Sequence, residues 1–318
     1  MSFKTLLVGT GDSTTASASV PSWFYQSLGI AVVDDISYGP ATPRTSSFIR
    51  STAGITAVNM ANPGWKLAQL IDQATGLSGL FSRDSLINAT PPTGGGRPTI
   101  HNILAVRVGT NVDETDAAVY AALVRTYYLA AQAAGWLVID LPPWSRTGKD
   151  AFMQALNAIK ATWTTSDGVA AVVPATEPLL YGTNAYANTT YFNGDGIHPT
   201  VAGHRLAARD FLVTLDALLV SLGALAVPTG LVATSGGSIQ IDFTTPSIGA
   251  VFRLYRNTVD NFQTATILLT ITAPTSPTVT TFDDTGVSGT PYFYWVTRYD
   301  SGTSEETLPT LSVTATPS

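Results

Sequence analysis

Four short stretches of the chain hold the residue types that acyl transfer requires. Gly11-Asp12-Ser13 follows directly on the apolar run Leu6-Leu7-Val8. Asn59-Met-Ala-Asn-Pro-Gly64 lies between a strand-like and a helix-like segment, and Gly109-Thr110-Asn111 ends a second apolar run, Ile103–Val108. Asp195-Gly-Ile-His198-Pro199 stands just before the last helical stretch of the first 222 residues. A serine hydroxyl is a weak nucleophile near neutral pH, so a base within hydrogen-bond reach must take its proton. His198 has the chemistry to do so. A carboxylate on the far ring nitrogen sets the tautomer and stabilises the imidazolium. Asp195 lies three residues before His198, a gap that one turn closes. The oxyanion needs donors aimed at it, and the backbone N–H groups of Gly64 and Ser13 with the Asn111 amide would supply three. His198 acts as a base only when neutral, so activity is expected to fall once acid protonates it.

Each stretch also has a plainer reading. Gly-Asp-Ser is an ordinary turn before a helix, with Asp12 or Ser13 as the N-cap. Asn111 reads as a residue starting a helix, and Asp195 as the residue closing a turn in Asn193-Gly-Asp-Gly. His101 and His204 belong to no motif and read as structural. Trp65, Tyr191 and Phe192 flank the motif residues and are candidates for lining a substrate pocket, although packing explains aromatic residues there equally well.

The elements that must position these residues alternate between strand and helix. Strands are expected over Leu6–Val8, Ile30–Ile36, Ile55–Asn59, Asn102–Val108, Trp136–Leu141 and Val169–Val173. Helices are expected over Ser19–Leu28, Gly64–Thr75, Asp116–Gly135 (capped near Thr115), Asp150–Thr162 and Thr200–Leu222. Residues 37–54, 83–101 and 176–194 read as loops. Alternation of this kind implies a mostly parallel sheet with helices on both faces. A serine at the carboxyl end of a parallel strand faces the crevice where open α/β sheets bind ligands.

The four blocks, in this order and each beside the expected element, resemble those of the SGNH hydrolases, also called GDSL esterases. The resemblance covers about residues 1–222, and the chain's only Asp-x-x-His forms its last block. It implies a flavodoxin-like three-layer sandwich around a five-stranded parallel sheet, working without metal or cofactor. It implies Ser13 as nucleophile, His198 as base and Asp195 as its partner. Gly64, Asn111 and the Ser13 N–H would form the oxyanion hole. Two blocks depart from the common pattern: Thr14 follows Gly-Asp-Ser where Leu is usual, and Val112 stands where many members carry Asp, with Asp113 next.

The composition changes at 223–229. From Leu231 onward short alternating runs are separated by turn residues, which implies an all-β sandwich with an expected boundary at 224/225. Its last strands are expected over Pro291–Tyr299 and Leu308–Thr316. Phe282-Asp283-Asp284-Thr285-Gly286 and Gly289-Thr-Pro-Tyr292-Phe-Tyr294-Trp-Val296 resemble an immunoglobulin-like module of the fibronectin type III kind. The resemblance implies Tyr292 as a tyrosine-corner residue and a role as spacer or binding platform.

The chain has 318 residues, 45% of them hydrophobic and only 12% charged, with a net charge of −6. No Lys/Arg cluster appears, so nucleic acid is not an expected partner. There is no cysteine, which excludes thiolate ligands, disulfides and a Cys nucleophile. Three histidines without a carboxylate cluster argue against a metal site. No apolar run reaches the ~18 residues of a membrane span, and the opening apolar run is too short for a conventional export signal. The location stays open between the cytoplasm and a virion. These readings converge on an esterase removing short acyl groups, O-acetyl above all, from a carbohydrate, with a protein or glycan partner for the β region. Two alternatives stand beside it. One is a non-catalytic phage-tail or surface adhesion protein using the fold as a glycan-binding scaffold. The other is an acyl-thioesterase or lipase of the same fold.

Overall fold

The computed structural model describes residues 5–16, 23–27, 55–59, 61, 64–75, 101–245, 250–272, 279–285, 288–302 and 305–318. Its first part is a parallel sheet of five strands: β1 (Thr5–Gly11), β2 (Ile55–Asn59), β3 (His101–Arg107), β4 (Leu137–Leu141) and β5 (Ala171–Val172). The order across the sheet is β2-β1-β3-β4-β5, and every neighbouring pair is parallel. The chain thus builds outward to one side after β1 and to the other after β3. The gap between those two strands is the switch point, where such sheets form their ligand crevice.

Both faces of the sheet are covered, as period-two alternation in apolar strands requires. Leu104 and Val106 of β3 face one cluster with Val8 and Val138, against α3 (Leu67–Thr75), α4 (Ala117–Ala133) and α5 (Asp150–Lys160). Ile103 and Ala105 face the other, with Leu7, Ile139 and Leu141. That second cluster is closed by Trp23 and Phe24 of a short helix (Trp23–Ser27) and by the long helix here called α6 (Val201–Ser221). Phe211 of α6 is fully buried and meets Trp23 edge-on at 4.8 Å. Truncating such an aromatic residue to Ala costs about 3–5 kcal/mol.

Several boundaries differ from the sequence expectation. The cap of α4 is Asp116 rather than Thr115: its carboxylate accepts from the N–H groups of Ala118 and Val119. Strand β5 is two residues long, not five, because only Ala171 and Val172 pair with β4. The expected strand Ile30–Ile36 and the loops 37–54 and 83–100 lie outside the described residues. No helix among the described residues is long and apolar enough to cross a membrane.

The remainder is antiparallel. One sheet runs β10-β7-β6, with β6 Thr229–Thr234, β7 Ile239–Thr244 and β10 Val279–Asp284. The other runs β12-β11-β8-β9, with β8 Val251–Asn257, β9 Thr266–Thr272, β11 Tyr292–Asp300 and β12 Glu305–Glu306; β13 (Val313–Ala315) also pairs with β11. Ile239, Ile241 and Phe243 from the first sheet and Phe252, Leu254, Tyr294 and Val296 from the second share one core. Tyr292 is buried with the Arg256 guanidinium 4.6 Å from its ring centroid. The phenol that reaches back to the end of β10 is that of Tyr294, which donates to Asp284 Oδ2 at 2.7 Å.

The expected strand Leu308–Thr316 is interrupted, and the interruption joins the two parts. Residues 307–312 leave strand geometry, and Leu308 buries itself in the cluster beneath α6 together with Val227. Arg205 of α6 donates to the Ser312 carbonyl, to Ser312 Oγ at 2.9 Å and to Asp260 at 3.3 Å. An apolar leucine takes a buried seat across the junction in preference to continuing a strand.

Candidate active site

Ser13 is delivered by the end of β1. Gly11 has φ +148°, and a Cβ there would lie 2.4 Å from the Arg107 carbonyl oxygen, so the tight passage past β3 requires glycine. Asp12 is buried, and its Oδ1 accepts from the Thr14 N–H at 3.0 Å and the Thr14 hydroxyl at 2.7 Å. Burial raises its pKa above the usual carboxylate range, and the Thr14 bonds oppose the rise. The residue between glycine and serine is therefore a turn-former that nails the start of the following helical turn (Ser13–Ala16) in place.

Ser13 Oγ lies 2.9 Å from His198 Nε2. His198 Nδ1 lies 2.7 Å from Asp195 Oδ2. The Asp195–His198 turn closes on itself: Asp195 Oδ1 accepts from the N–H groups of Ile197 at 2.8 Å and His198 at 3.0 Å. Partial burial pulls the Asp195 pKa upward, but the bonds from the His198 ring, the His198 N–H and the Ile197 N–H outweigh it and hold the carboxyl low. Asp195 is thus ionised and oriented. The side chains of His198 and Asp195 are 40% and 44% exposed, so the pair faces solvent at the crevice mouth. The turn is braced from outside by the Thr147 N–H donating to the Gly196 carbonyl at 3.0 Å and the Asn193 N–H donating to the His198 carbonyl at 2.8 Å.

Gly64 follows β2 and Asn111 follows β3, the two strands that flank β1. Gly64 is exposed with φ +78°, and nothing lies within 4 Å of where its Cβ would stand; glycine is required there for backbone conformation alone. The Asn111 amide donates to the Trp65 carbonyl at 3.2 Å, which uses one of its two N–H bonds. Val112, which stands where related blocks carry Asp, is buried in the core beside α4 and anchors the loop.

Of the three aromatic pocket candidates, Phe192 is displaced. It is completely buried in the core beneath α6, where the packing energy of an aromatic ring exceeds anything a surface position offers. Tyr191 is part-buried against the same core, and its carbonyl accepts from the Thr200 N–H at 2.9 Å. Trp65 is part-buried against the opposite core and remains beside Asn111.

A supporting layer beneath the site has no motif. Arg107 is fully buried with its guanidinium 3.7 Å from the Trp144 ring centroid. Trp144 meets His204 edge-on at 5.4 Å, and His204 Nδ1 accepts from the Trp23 N–H at 3.3 Å. Burial, reinforced by the Arg107 and His198 charges, depresses His204 from 6.5 to about 3, so it is a neutral acceptor. Nothing in the sequence joins these residues, which lie on four separate segments. Among the described residues no group of three or more His, Asp or Glu side chains could hold a metal ion.

No protein-family model and no curated protein matches the chain. Solved structures similar to it are GDSL/SGNH hydrolases at low identity. TesA is 16% identical with a TM-score of 0.43, over 68% of this chain and 99% of TesA. A GDSL-like lipase from Bacteroides thetaiotaomicron is 17% identical with a TM-score of 0.41, over 68% and 88% of the two chains. The lipase/acylhydrolase from Enterococcus faecalis is 11% identical with a TM-score of 0.40, over 66% and 94%. Likeness of that degree assigns no activity, and what this chain's residues can do follows from its own geometry.

Proposed function

We propose that the chain is a serine esterase that hydrolyses short-chain acyl esters, with O-acetyl groups on carbohydrate as its substrate. The observation that carries this reading is the continuous hydrogen-bond line from Ser13 Oγ through His198 to Asp195. In the first step His198 Nε2 takes the Ser13 proton as Oγ attacks the ester carbonyl. The negative charge that develops on the carbonyl oxygen is met by the N–H groups of Ser13 and Gly64 and by the Asn111 amide. Collapse expels the alcohol, which receives the proton from His198 and leaves an acyl group on Ser13. Water then attacks the acyl carbonyl as His198 takes its proton, and collapse breaks the bond to Ser13 Oγ, which recovers the proton from His198 as the acid leaves. Asp195 keeps the imidazole in the required tautomer and offsets its charge in both half-reactions.

Trp65, beside the oxyanion donors, is the aromatic surface assigned to the substrate. Residues 225–318 are read as a separate fibronectin type III-like module. The support is their strand order: one sheet of β6, β7 and β10 facing another of β8, β9, β11 and β13. A β-sandwich docked on α6, the helix that follows His198, suits a polymeric glycan better than a small free ester.

The test is hydrolysis of p-nitrophenyl acetate, butyrate and longer esters, with Ser13→Ala alongside, followed by release of acetate from acetylated polysaccharides. Turnover of acetate that disappears in the variant is expected. Faster turnover of long chains than of acetate would overturn the substrate assignment. Folded wild-type protein that hydrolyses none of these substrates but binds glycan would favour the scaffold reading instead.

A further inference from the structure

The oxyanion donors proposed above come from two loops that, among the described residues, no sheet hydrogen bond joins. Gly64 belongs to the loop entering α3, and Asn111 to the loop entering α4. Their separation decides whether both donors reach one oxygen, and tolerance there is small, since a shift of about 1 Å is enough to cost on the order of 10²-fold in rate. Among the described residues, two contacts cross between the loops. One is the Asn111 amide on the Trp65 carbonyl, at 3.2 Å. The other is an ion pair between Lys66 Nζ and Asp113 Oδ2, at 2.6 Å. They are the residues immediately after Gly64 and around Asn111, so they form a two-point clasp directly behind the donors.

Each end of the clasp is fixed to its own element. The Lys66 N–H donates to Gln69 Oε1 at 2.7 Å, and the Lys66 carbonyl accepts from the Gln69 and Leu70 N–H groups at the start of α3. On the other side Val112 is buried in the core between Asn111 and Asp113. The Lys149 ammonium donates to the Glu114 carbonyl at 3.0 Å, holding the same loop from its far side. Lys66 and Asp113 are 49% and 79% exposed, and an ion pair in that setting adds little to folding. Its position, not its strength, is what the geometry singles out.

We propose that Lys66 and Asp113 are positioning residues for acyl transfer: their ion pair sets the distance between the Gly64 N–H and the Asn111 amide. The inference rests on the esterase reading above. It accounts for Asp113 standing one place beyond the usual block position, with Val112 turned into the core in its stead.

The experiment measures kcat and KM for p-nitrophenyl acetate in Lys66→Met, Asp113→Asn and the exchanged pair Lys66→Asp/Asp113→Lys, each also built on Asn111→Ala. Lys66→Met is expected to lower kcat about three- to fivefold with KM unchanged. The exchanged pair is expected to recover most of that loss. On the Asn111→Ala background Lys66→Met is expected to have no further effect, because one of the two donors it aligns is gone. Full kcat in Lys66→Met, or an equal loss with and without Asn111, overturns the positioning role while leaving the esterase intact. Wild-type turnover that survives Ser13→Ala, or no turnover at all, overturns the esterase reading and the positioning role with it.

Discussion

The two sides of Ser13 are built on different principles. On the proton-transfer side, Asp195 and His198 lie three residues apart, in one turn that bonds to itself through two backbone N–H groups. The 2.7 Å distance between them is set within that turn, whereas the 2.9 Å to Ser13 depends on where β1 and the turn meet. On the side proposed for the oxyanion, Gly64 and Asn111 arrive on loops after separate strands, joined among the described residues by the Asn111 amide on the Trp65 carbonyl and by the Lys66–Asp113 ion pair. A local turn carries its geometry in its own backbone. A composite of distant loops holds its geometry only while every packed layer behind it stays in register.

The largest effect tests what both sides share. Ser13→Ala is expected to lower kcat about 10⁴-fold or more, measured on p-nitrophenyl acetate in protein freed of wild-type contamination. A loss under tenfold would break the comparison at its root, since neither side would then serve a nucleophile.

The layer beneath both sides is probed by pH. His204 is depressed from 6.5 to about 3. A folded-state value below the unfolded one means that its contribution is complete above about 6.5 and is lost as pH falls toward about 3. Stability held by this one group is lost progressively across that window. Urea unfolding from pH 7 to 3 is expected to show it, and His204→Asn, which keeps an acceptor for the Trp23 N–H, is expected to flatten that part of the curve. An unchanged acid slope in the variant would assign the loss to other groups.

The two sides can then be ranked against each other. Asn111→Ala removes a charge-stabilising donor and is expected to cost about 10²–10³-fold in kcat. Asp195→Asn keeps the turn but removes the charge beside an exposed imidazole, and a loss near 10²-fold is expected. Parallel kcat measurements on one ester decide the order. A larger loss at Asp195 than at Asn111 would reverse that order.

The residue types of the site were legible because each block sits at an element boundary that local rules mark. Gly11 and Gly109 end apolar strands, and Thr200 caps the helix after His198 through its hydroxyl and the Gly203 N–H. Of the two readings open for Phe192, pocket and packing, the structure takes packing, since adjacency to Tyr191 in sequence says nothing about which core an aromatic ring enters. Thr115 was preferred to Asp116 as a cap for a similar reason: both are good caps, and one residue of helix phase decides. Arg107, Trp144, Trp23 and His204 carried no pattern at all. They come from four separate segments and become one layer only when β3 and α6 are stacked.

The sequence by itself determined the alternation of strand and helix up to residue 222, the change to antiparallel strands after it, and the residues available for acyl transfer. All of these rest on interactions within a few positions: hydrophobic period, glycine conformation, helix caps and the Asp195–His198 turn. Tertiary structure alone decided that Gly64 and Asn111 are clasped through Lys66 and Asp113, and that Phe192 belongs to the core. It also decided that Leu308 and Ser312 dock the β region onto α6. Those outcomes depend on which distant surfaces meet, and that is settled by burying apolar area and pairing charges across the whole chain rather than by any local preference.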